Sequence, residues 1–466
     1  MPNPRSLRDD AVKIWQAGIE AVDARSLVKN LISIENGQLS IGPSVFPIDE
    51  INRVIVVGFG KASGAMAVGF EDGIFADHNE TALPFELSGL TCVPDDRIVD
   101  TKRIKIVGGR PPGENLPTQR VREATVEILQ LVQSTGPKDV CVCLISGGGS
   151  ALLELPLDSI TIDELRTGTT HLSASGASIY QLNAVRRAIS CVKGGSLAAA
   201  AGSTPVVSLI ISDVIGDNLD VISSGPTVGP SNDVSAIEVL QTFDPQRTEI
   251  PASIWEAVES GAKGTVKFDS NSNIDNTIIG NIETALNAAK EKATQLGYAC
   301  ELGQPSGNEG DAETIGRQVP DQVSQLLGRG KKQCFIQGGE TTVKLCSDPG
   351  HGGRNQHLVL AAIDEFATQS LSEIEGDFCL LSGGSDGEDG SAPQSGIAGA
   401  IADRKTIEKI CQLGSGETKS ALRSCSSYNF HLAQGSLLKV SDVMTAAQST
   451  PPATNVCDLR IVLVSP

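Results

Sequence analysis

The sequence predicts an α/β protein of two domains, and three observations support this prediction. Short β-branched and apolar runs alternate along the chain with longer segments of helical periodicity, which is typical of largely parallel sheets covered by helices. Several runs are apolar almost throughout, such as DVCVCLI at 139–145, as expected for strands buried on both faces. The 466 residues exceed what one core ordinarily holds, so two domains are expected.

The individual elements follow from these patterns. Strands are predicted at 53–57, 139–145, 206–212, 333–337, 377–382 and 459–464. Helices are predicted between them wherever apolar residues recur at helical spacing, including 118–134, 162–179, 282–296 and 353–369. The strand-plus-glycine pattern restarts after GRGKK at 328–332. We therefore predict a larger α/β domain over 1–330 and a smaller one over 331–466.

Composition and charge exclude several functional classes. A net charge of −19 would repel nucleic acids and anionic membranes. No apolar stretch approaches the roughly 20 residues that span a bilayer, and the segment MPNPRSLRDD lacks the apolar core of a signal peptide. The eleven cysteines form no CxxC pair, and the five histidines show no metal-ligand spacing. We expect a cytoplasmic protein that binds small molecules, and we leave open whether it forms a homodimer.

Five predicted strands end in loops that are rich in glycine, serine or acidic residues. In open α/β sheets, ligands bind beyond the carboxyl ends of the strands, where glycines expose backbone N–H groups and a following helix adds a positive terminus. The five loops together predict one polar cleft that binds anions. The residues predicted to bind its nucleotide are Gly58, Gly60, Ser146, Gly147, Gly148, Gly149, Ser150, Gly338, Gly339 and Glu340.

The first of these loops, VGFGKASG at 57–64, places Lys61 in a glycine turn. A P-loop requires Gly-x4-Gly-Lys-[Ser/Thr], but the residue after this lysine is alanine. A dinucleotide fingerprint requires Gly-x-Gly-x-x-Gly, whereas Gly58, Gly60 and Gly64 are spaced with one residue too many. A dehydrogenase and a solvated surface lysine remain the alternatives. A lysine at the mouth of such a turn is well placed to hold an oxyanion.

Acidic residues follow two other predicted strands. Asp213, Asp217 and Asp220 lie in SDVIGDNLD, and Asp386 and Asp389 lie in SDGEDG. Carboxylates in such loops suit Mg²⁺, which takes a few carboxylates together with water and substrate phosphate. The alternative is that they cap the next helix or turn. The spacing in SDGEDG is not that of a calcium loop.

Arg354 stands at a predicted helix start, after two glycines in HGGRNQ. A guanidinium there can form two hydrogen bonds to a phosphate or carboxylate, although an ordinary surface arginine is the alternative. Ser150 is a poor candidate for a hydrolase nucleophile because the Gly-x-Ser-x-Gly elbow is missing. Glycine loops, two cations and several carboxylates suit phosphoryl transfer, which depends on positioning and charge neutralisation.

Six long motifs lie in order along nearly the whole chain, from about residue 8 to residue 465. They are VVGFGKASGAM (56–66), LISGGGSALL (144–153), LNAVRRAISCVKGGSLA (182–198), SLIISDVIGDNLDVISSGPTV (208–228), GGETTVKL (338–345) and GGRNQHLVLA (352–361). With these motifs the chain resembles the class II glycerate kinases, whose C-terminal part is called the MOFRL domain, and it resembles the animal-type members most.

The resemblance implies phosphorylation of D-glycerate on its 2-hydroxyl with ATP and Mg²⁺, giving 2-phosphoglycerate and ADP. It implies a Rossmann-like three-layer α/β/α domain, a smaller MOFRL domain and an active-site cleft between them. It also implies that Lys61 and Arg354 are catalytic, and we assign the metal to one or more of Asp213, Asp217 and Asp386. The alternatives are an NAD(P)-dependent hydroxypyruvate reductase and a catalytically weak relative that binds nucleotides or metabolites.

Three segments of the C-terminal part depart from the family pattern. They are SDGEDGSAPQS (385–395), CSSYNF (425–430) and STPPATNVCD (449–458). Two glycines lost from one loop would change how closely its backbone can approach a ligand. These changes could alter the substrate, weaken the activity or leave a cleft that only binds. Because the motifs of the N-terminal part are intact, we expect an active kinase.

Overall fold

The structure is a computed structural model that describes residues 6–76, 83–229, 234–262, 273–369, 374–413, 416–442 and 454–466. The chain divides into two compact units. The parallel-sheet unit is Ala24–Ile279, and the mixed-sheet unit combines Met1–Asp23 with Gly280–Pro466. The first helix, α1 (Leu7–Ala21), belongs to the mixed-sheet unit. None of the described helices is long and apolar enough to cross a membrane.

The parallel-sheet unit alternates strands and helices as the sequence predicts. Its elements are α2 (Ala24–Lys29), β1 (Ile32–Glu35), β2 (Gln38–Ile41), β3 (Ser44–Pro47), β4 (Arg53–Phe59), α3 (Ser63–Ile74), β5 (Glu86–Pro94), β6 (Ile104–Arg110), α4 (Gln119–Gln133), β7 (Asp139–Ile145), α5 (Ile162–Ala174), α6 (Ile179–Ile189), α7 (Ser196–Ala200), β8 (Val206–Ile211), α8 (Ala236–Phe243), α9 (Ala252–Ser260) and β9 (Ile274–Gly280). Strands β1 to β3 form a separate antiparallel sheet.

The main sheet of this unit has the strand order β6-β5-β4-β7-β8-β9. Each neighbouring pair from β6 to β8 is parallel. The first three of these strands in the chain run outward from β4 to β6, and the next three run outward in the opposite direction from β7 to β9. This is the strand order of a doubly wound dinucleotide-binding fold, and the direction of strand addition reverses between β4 and β7. Every residue of β7 and β8 is buried, because helices cover both faces of such a sheet. The expected Rossmann-like architecture is confirmed.

The predicted helix at 162–179 is wrong in its last part. Helix α5 ends at Ala174, and Ser178 starts α6 with a reciprocal capping box that involves Gln181. Ser178 Oγ accepts the N–H of Gln181, and the Gln181 side chain accepts the N–H of Ser178. The apolar periodicity continues across the junction, so the capping residues decide where the chain turns.

The mixed-sheet unit contains six strands and seven helices among the described residues. After α1 they are α10 (Ile282–Gln295), β10 (Ala299–Leu302), α11 (Ala312–Leu327), β11 (Gln333–Gly339), α12 (Arg354–Thr368), β12 (Asp377–Gly384), β13 (Ile397–Asp403), α13 (Arg404–Leu413), α14 (Gly416–Arg423), α15 (Ser427–Gln434), β14 (Leu437–Lys439) and β15 (Asp458–Ser465).

The sheet of this unit has the order β10-β11-β15-β12-β13-β14. Only β10 and β11 are parallel, whereas β15 runs antiparallel to both β11 and β12. The expectation of largely parallel strands is therefore wrong in this unit, because β15, which follows the other strands in the chain, lies between β11 and β12 and runs opposite to both. The core is built around α12, where Phe366 stacks on Phe378 with ring centroids 4.6 Å apart.

The limits of the compact units differ from the predicted domains at 1–330 and 331–466. Strand β10 pairs with β11, and Gly316 of α11 lies directly against the backbone of α12. At the other end of the chain, Trp15 Nε1 donates to Gly383 O at 3.3 Å, and Tyr298 Oη donates to Asp10 Oδ2 at 2.9 Å. These contacts join α1 and residues 280–330 to the mixed sheet.

Candidate active site

Lys61 follows β4 at the point where the strand order of the parallel sheet reverses. Loops that follow the two diverging strands leave a crevice at such a point, and open α/β sheets bind ligands there. The N–H of Lys61 donates to Gly147 O at 2.9 Å, and the N–H of Ala62 donates to Ser146 Oγ at 3.0 Å. The turn that carries Lys61 is thus joined directly to the glycine loop after β7.

Gly60 makes this close approach of the two loops possible. Its φ is +123°, and a Cβ atom there would lie 2.3 Å from Ser146 Oγ and 2.5 Å from Ser146 O. Glycine adopts this backbone conformation readily and has no Cβ atom to collide with Ser146, so it is the residue that fits this position. Gly58, by contrast, lies inside β4, where a Cβ would lie 2.8 Å from Thr91 Oγ1, so the structure places it in the sheet.

Replacing Gly60 with alanine is expected to lower the free energy of unfolding by about 2 kcal/mol or more, because strained φ and a displaced Ser146 both add cost. Urea unfolding measures this change. Gly136→Ala is the control, since the nearest atom to a Cβ there is 3.9 Å away and the change should be within about 0.5 kcal/mol. Equal stability of the two variants would contradict the role assigned to Gly60.

Gly147, Gly148 and Gly149 bring the loop after β7 against the loop after β8. A Cβ at Gly147 would lie 2.5 Å from Asp213 Oδ2, and a Cβ at Gly149 would lie 2.2 Å from Ser223 Oγ. Ser150 is hydrogen bonded to Ser224, with their Oγ atoms 2.9 Å apart. The segment 146–150, which the sequence predicts to bind the nucleotide, therefore packs closely on the loop after β8. We call the loops after β4, β7 and β8 the glycine-loop cluster.

Sequence reasoning missed Arg110 in this cluster. It is the last residue of β6 and is almost fully buried, and its Nη1 donates to Glu114 O. A Cβ at Gly148 would lie 3.5 Å from both Arg110 Nη2 and Lys61 Cγ, so two cationic side chains flank this glycine. The signal that could have found it is an arginine at the end of the run IKIVGGR.

Asp213 and Asp217 lie in the loop after β8, and both are partly exposed. Burial raises the pKa of Asp213, although backbone N–H groups, including that of Gly148, and the charge of Lys61 oppose the shift. Asp220 differs from them because it is buried and forms an ion pair with Arg187, with Nη1 and Oδ2 3.7 Å apart. Its role in the fold is thus structural.

In the mixed-sheet unit, Arg354 begins α12 and is held by two carboxylates. Its Nε lies 2.5 Å from Asp458 Oδ2, and its Nη2 lies 2.9 Å from both Asp458 Oδ1 and Glu340 Oε1. Asp458 opens β15 opposite Gly339, the last residue of β11, so the strand pairing sets this geometry. Nη1 of Arg354 makes no hydrogen bond to any residue that the structure describes.

The electrostatics keep Arg354 charged. Burial by itself lowers the pKa of the guanidinium, but the carboxylates of Asp458 and Glu340 more than offset this and raise it above its usual range. Asp386 lies close by, since a Cβ at Gly384 would lie 3.3 Å from Asp386 Oδ1 and 3.4 Å from Asp458 Oδ1. We call Arg354, Glu340, Asp386 and Asp458 the arginine cluster.

Asp389 supports the cluster by capping α12. Its Oδ1 accepts the N–H of Asn355 at 3.0 Å, and its Oδ2 accepts the N–H and the side-chain amide of Gln356, both at 2.9 Å. Burial and the neighbouring Asp458 raise the pKa of Asp389 to about 6, and the N–H donors oppose that shift. The second aspartate of SDGEDG therefore accepts N–H groups at the N-terminus of α12.

Gly338 and Gly339 lie within β11, and their surroundings show why they are glycines. A Cβ at Gly338 would lie 2.6 Å from Ile282 Cγ1, and a Cβ at Gly339 would lie 2.3 Å from Ser306 O. The N–H of Glu340 donates to Ser306 O at 3.0 Å. The structure thus uses these glycines to admit helix α10 and the segment around Ser306, while the Glu340 side chain faces Arg354.

The segments that depart from the family pattern, at 385–395, 425–430 and 449–458, contribute residues that pack near the arginine cluster. Ser385 Oγ accepts the N–H of Val456 at 2.8 Å, and the N–H of Ser385 donates to Cys457 O at 3.2 Å. Ser427 lies against Gly352, where a Cβ would be 2.1 Å from Ser427 Oγ. Residues 449–453 of STPPATNVCD lie outside the described residues.

His431 forms a hydrogen bond with the backbone of the first turn of α12. Its Nε2 is 2.8 Å from Gln356 O and its Nδ1 is 2.8 Å from Ser436 Oγ. Because a carbonyl oxygen only accepts, Nε2 carries the proton and Nδ1 accepts the serine hydroxyl. Burial lowers the pKa of His431 to about 4, so the ring is neutral in the folded protein at neutral pH.

This histidine should make the protein less stable in acid. The unfolded chain protonates it below its ordinary pKa of 6.5, whereas the folded protein resists protonation until about 4. Its contribution is therefore present above the unfolded pKa and lost as the pH falls between these values, by up to about 3 kcal/mol. Asp389 has the opposite dependence, because its raised pKa favours the folded state in acid.

Urea unfolding at several pH values in this range, with His431→Gln as the matched variant, isolates the histidine's contribution. The difference in unfolding free energy between protein and variant should shrink as the pH falls. A difference that is constant with pH would show that His431 has no depressed pKa.

The comparisons with known proteins agree with this architecture. The family described as "Domain of unknown function (DUF4147)" matches residues 10–259, and the MOFRL family matches residues 333–458. A glycerate kinase of Danio rerio is 32% identical, with 99% of this chain and 98% of that protein covered. A D-glycerate 2-kinase of Thermotoga maritima is also 32% identical, with 100% of both chains covered. These two relatives, one animal and one bacterial, have the same identity to this chain.

Two solved structures have the same fold. The crystal structure of the Thermotoga maritima glycerate kinase superimposes with a TM-score of 0.78 at 31% identity, covering 99% of this chain and 100% of that one. The PH0495 protein of Pyrococcus horikoshii superimposes with a TM-score of 0.76 at 29% identity, with 99% of each chain covered. The similarity extends over both units, and the chain therefore belongs to the glycerate kinase family, with a DUF4147 region followed by a MOFRL region.

Proposed function

We propose that this chain is an ATP-dependent kinase that phosphorylates D-glycerate on its 2-hydroxyl, giving 2-phosphoglycerate and ADP. The observation that carries the proposal is the place of Lys61, joined to the glycine loop after β7 where the strand order reverses. Full-length relatives of the chain are named glycerate kinases. Phosphoryl transfer depends on fixed positions and on neutralising charge rather than on a covalent nucleophile.

In this proposal, the glycine-loop cluster handles the phosphates. Lys61 donates hydrogen bonds to oxygens of the transferred group, where negative charge must be balanced in the transition state. Residues 146–150 lie beside it. Ser146 is buried and holds the turn of Lys61 through its Oγ, while the rest of the segment contributes backbone N–H groups and the hydroxyl of Ser150. Arg110, which flanks Gly148 together with Lys61, adds a second positive charge next to the loop.

Arg354 contributes the other cation of the reaction. Two of its nitrogens are fixed by Asp458 and Glu340, which orients the planar group so that Nη1 can donate to an anionic substrate. A guanidinium held in this way loses little freedom on binding a carboxylate or phosphate. The predicted domains at 1–330 and 331–466 are part of this proposal. Lys61 lies in the first of them and Arg354 in the second.

The donor chemistry of the loop after β8 fits a bound Mg²⁺. Asp213 and Asp217 are carboxylates on one loop, and a pair leaves coordination positions for water and for substrate phosphate, as Mg²⁺ requires. Asp386 of the arginine cluster is the third candidate ligand. Within the described residues, no three or more His, Cys, Asp or Glu side chains form a ready metal site. When bound with ATP, Mg²⁺ would neutralise phosphate charge.

An assay with purified protein, D-glycerate, ATP and Mg²⁺ tests the proposal. Coupling to enolase alone detects 2-phosphoglycerate directly, whereas 3-phosphoglycerate produces a signal only after phosphoglycerate mutase is added. We expect full signal without the mutase. The Mg²⁺ requirement is tested in a separate incubation with chelator, which is stopped before excess Mg²⁺ and enolase are added, so that only the kinase step is deprived of the metal; we expect no product there. A signal that requires the mutase would refute the 2-hydroxyl assignment and leave the kinase assignment standing.

A second candidate, an NAD(P)-dependent hydroxypyruvate reductase, is favoured by one observation. The strand order of the parallel sheet is also that of dinucleotide-binding domains. The turn after β4 argues against it, because Gly60 and Lys61 replace the glycine fingerprint. Oxidation of NADH or NADPH with hydroxypyruvate, in the absence of ATP, would support the reductase. Binding of ATP without turnover would identify a catalytically weak relative.

A further inference from the structure

Lys193 is fully buried, and its ammonium group contacts the loop after β7, which is part of the glycine-loop cluster. Its Nζ donates to Ser150 O and to Leu153 O, both at 3.0 Å, and lies 3.5 Å from Glu154 Oε2. All three partners belong to the segment that follows β7. Burial lowers the pKa of Lys193, and the carboxylate of Glu154 opposes this shift. A buried charge is costly unless it is well paired, so its presence needs a reason.

The two glycines after Lys193 hold the other loop of the cluster. The N–H of Gly194 donates to Ser224 O at 3.1 Å, and the N–H of Gly195 donates to Gly225 O at 2.7 Å. The turn 193–195 therefore binds the loop after β7 through its side-chain ammonium and the loop after β8 through its backbone.

Asn183 of α6 makes a second connection to the loop after β8. Its Nδ2 donates to Val221 O at 3.3 Å, and its Oδ1 accepts the hydroxyl of Ser224 at 2.9 Å. Ser224 is in turn hydrogen bonded to Ser150. A series of side-chain hydrogen bonds thus connects α6 to the loop after β8, and that loop to the loop after β7.

The backbone of the loop after β8 requires such support. Ser223 and Ser224 are buried and adopt φ values of 53° and 63°, which are unfavourable for residues with a side chain. Strained positions of this kind persist only where the surroundings hold them in place.

We propose that Lys193 and Asn183 are positioning residues that fix the loops after β7 and β8 to each other, so that the phosphate-binding residues 146–150 are in place before the substrates bind. The proposal rests on the proposed kinase function. Although VKGG resembles a phosphate-binding lysine turn, the Lys193 ammonium does not contact the phosphates, because it is fully buried and its donors are directed at protein oxygens.

The test separates positioning from simple stability. Lys193→Met alone would leave Glu154 buried without its cation, so the main variant is Lys193→Met/Glu154→Gln, which removes both charges together. Lys138→Met is the matched control, since Lys138 is exposed and lies in the same unit. Asn183→Ser, which shortens the second connection without removing a charge, is measured beside them. Each protein is characterised by thermal unfolding, by kcat and KM for ATP, and by hydrogen exchange.

We expect the double variant to remain folded and to lose about 100-fold in kcat/KM for ATP, the scale of loss that misplaced binding groups cause, while Lys138→Met keeps the original values. Amide exchange should accelerate in segments 146–154 and 221–225 and stay unchanged in β4. Near-normal kinetics with unchanged exchange in the double variant would overturn the proposal. If that variant does not fold, Asn183→Ser decides: slower turnover with faster exchange in these segments supports the proposal, and unchanged values overturn it.

The exchange measurement also keeps the two proposals apart. If the unsubstituted protein shows no glycerate kinase activity, the proposed function fails, but faster exchange in the two segments would still support the positioning role. If the unsubstituted protein is active and the variants exchange normally, the function stands and the positioning role fails.

Discussion

Lys61→Ala is expected to lower kcat for glycerate phosphorylation by a factor of about 10³, with little change in thermal stability. The lysine is the partly exposed cation at the reversal of the parallel sheet, where it can meet the charge that develops on the transferred group. Arg110 is its neighbouring cation, but that side chain is almost fully buried and is engaged with Glu114 O. Stability should be retained because the bond to Gly147 O uses the backbone N–H.

Two further variants make the test of Lys61 specific. Lys61→Arg keeps the charge but changes the shape of the group, so we expect activity between those of the unsubstituted protein and the alanine variant. Lys138→Ala removes an exposed lysine of the same unit and should leave kcat unchanged. Turnover of Lys61→Ala close to that of the unsubstituted protein would refute the catalytic assignment.

Arg354→Ala is expected to lower kcat/KM for D-glycerate by a factor of about 10² to 10³. The variant loses the donor that Asp458 and Glu340 orient, and these two carboxylates then repel an anionic substrate. The free energy of unfolding should also fall, by about 2 kcal/mol, since Asp458 is nearly buried while Arg354 is about one-third exposed. Steady-state kinetics and urea unfolding measure the two effects separately.

Arg354→Lys distinguishes charge from geometry. A lysine keeps the positive charge but cannot reproduce the planar arrangement of donors, so we expect most of the stability and little of the activity. Arg329→Ala is the control because Arg329 forms an exposed ion pair with Glu301 in the same unit, which should contribute less than about 1 kcal/mol. If Arg354→Ala retains normal kcat/KM, the arginine has only a structural role.

Much of the fold could be predicted because its strands have strong local signals. All six predicted strands are found, and β7 has the predicted limits at 139 and 145. The strands that escaped prediction, such as β5 and β6, contain glycine, threonine or proline within or beside their apolar residues. The direction of β15 could not be predicted either, because strand pairing depends on contacts between distant residues and not on local pattern.

The candidate site was accessible from sequence only in part. Lys61 and Arg354 stand in glycine-rich motifs that mark loops, so their positions could be named in advance. Lys193 lies in a similar motif, yet the structure buries its charge completely. Asp389 was grouped with metal ligands, although it caps α12. Burial and hydrogen-bond partners separate a ligand-binding charge from a structural one, and neither is visible in a single sequence.

The central position of β15 bears on how the chain folds as it leaves the ribosome. This strand lies between β11 and β12, both of which are synthesised well before it. Until β15 emerges, neither β11 nor β12 has this partner, and unpaired strand edges are prone to pair with other chains. Helix α1 is synthesised long before its partner in β12, since Trp15 Nε1 donates to Gly383 O. The described strands of the parallel-sheet unit all precede β10 in the chain, so the ribosome supplies every strand of that unit before it supplies the central strand of the mixed sheet.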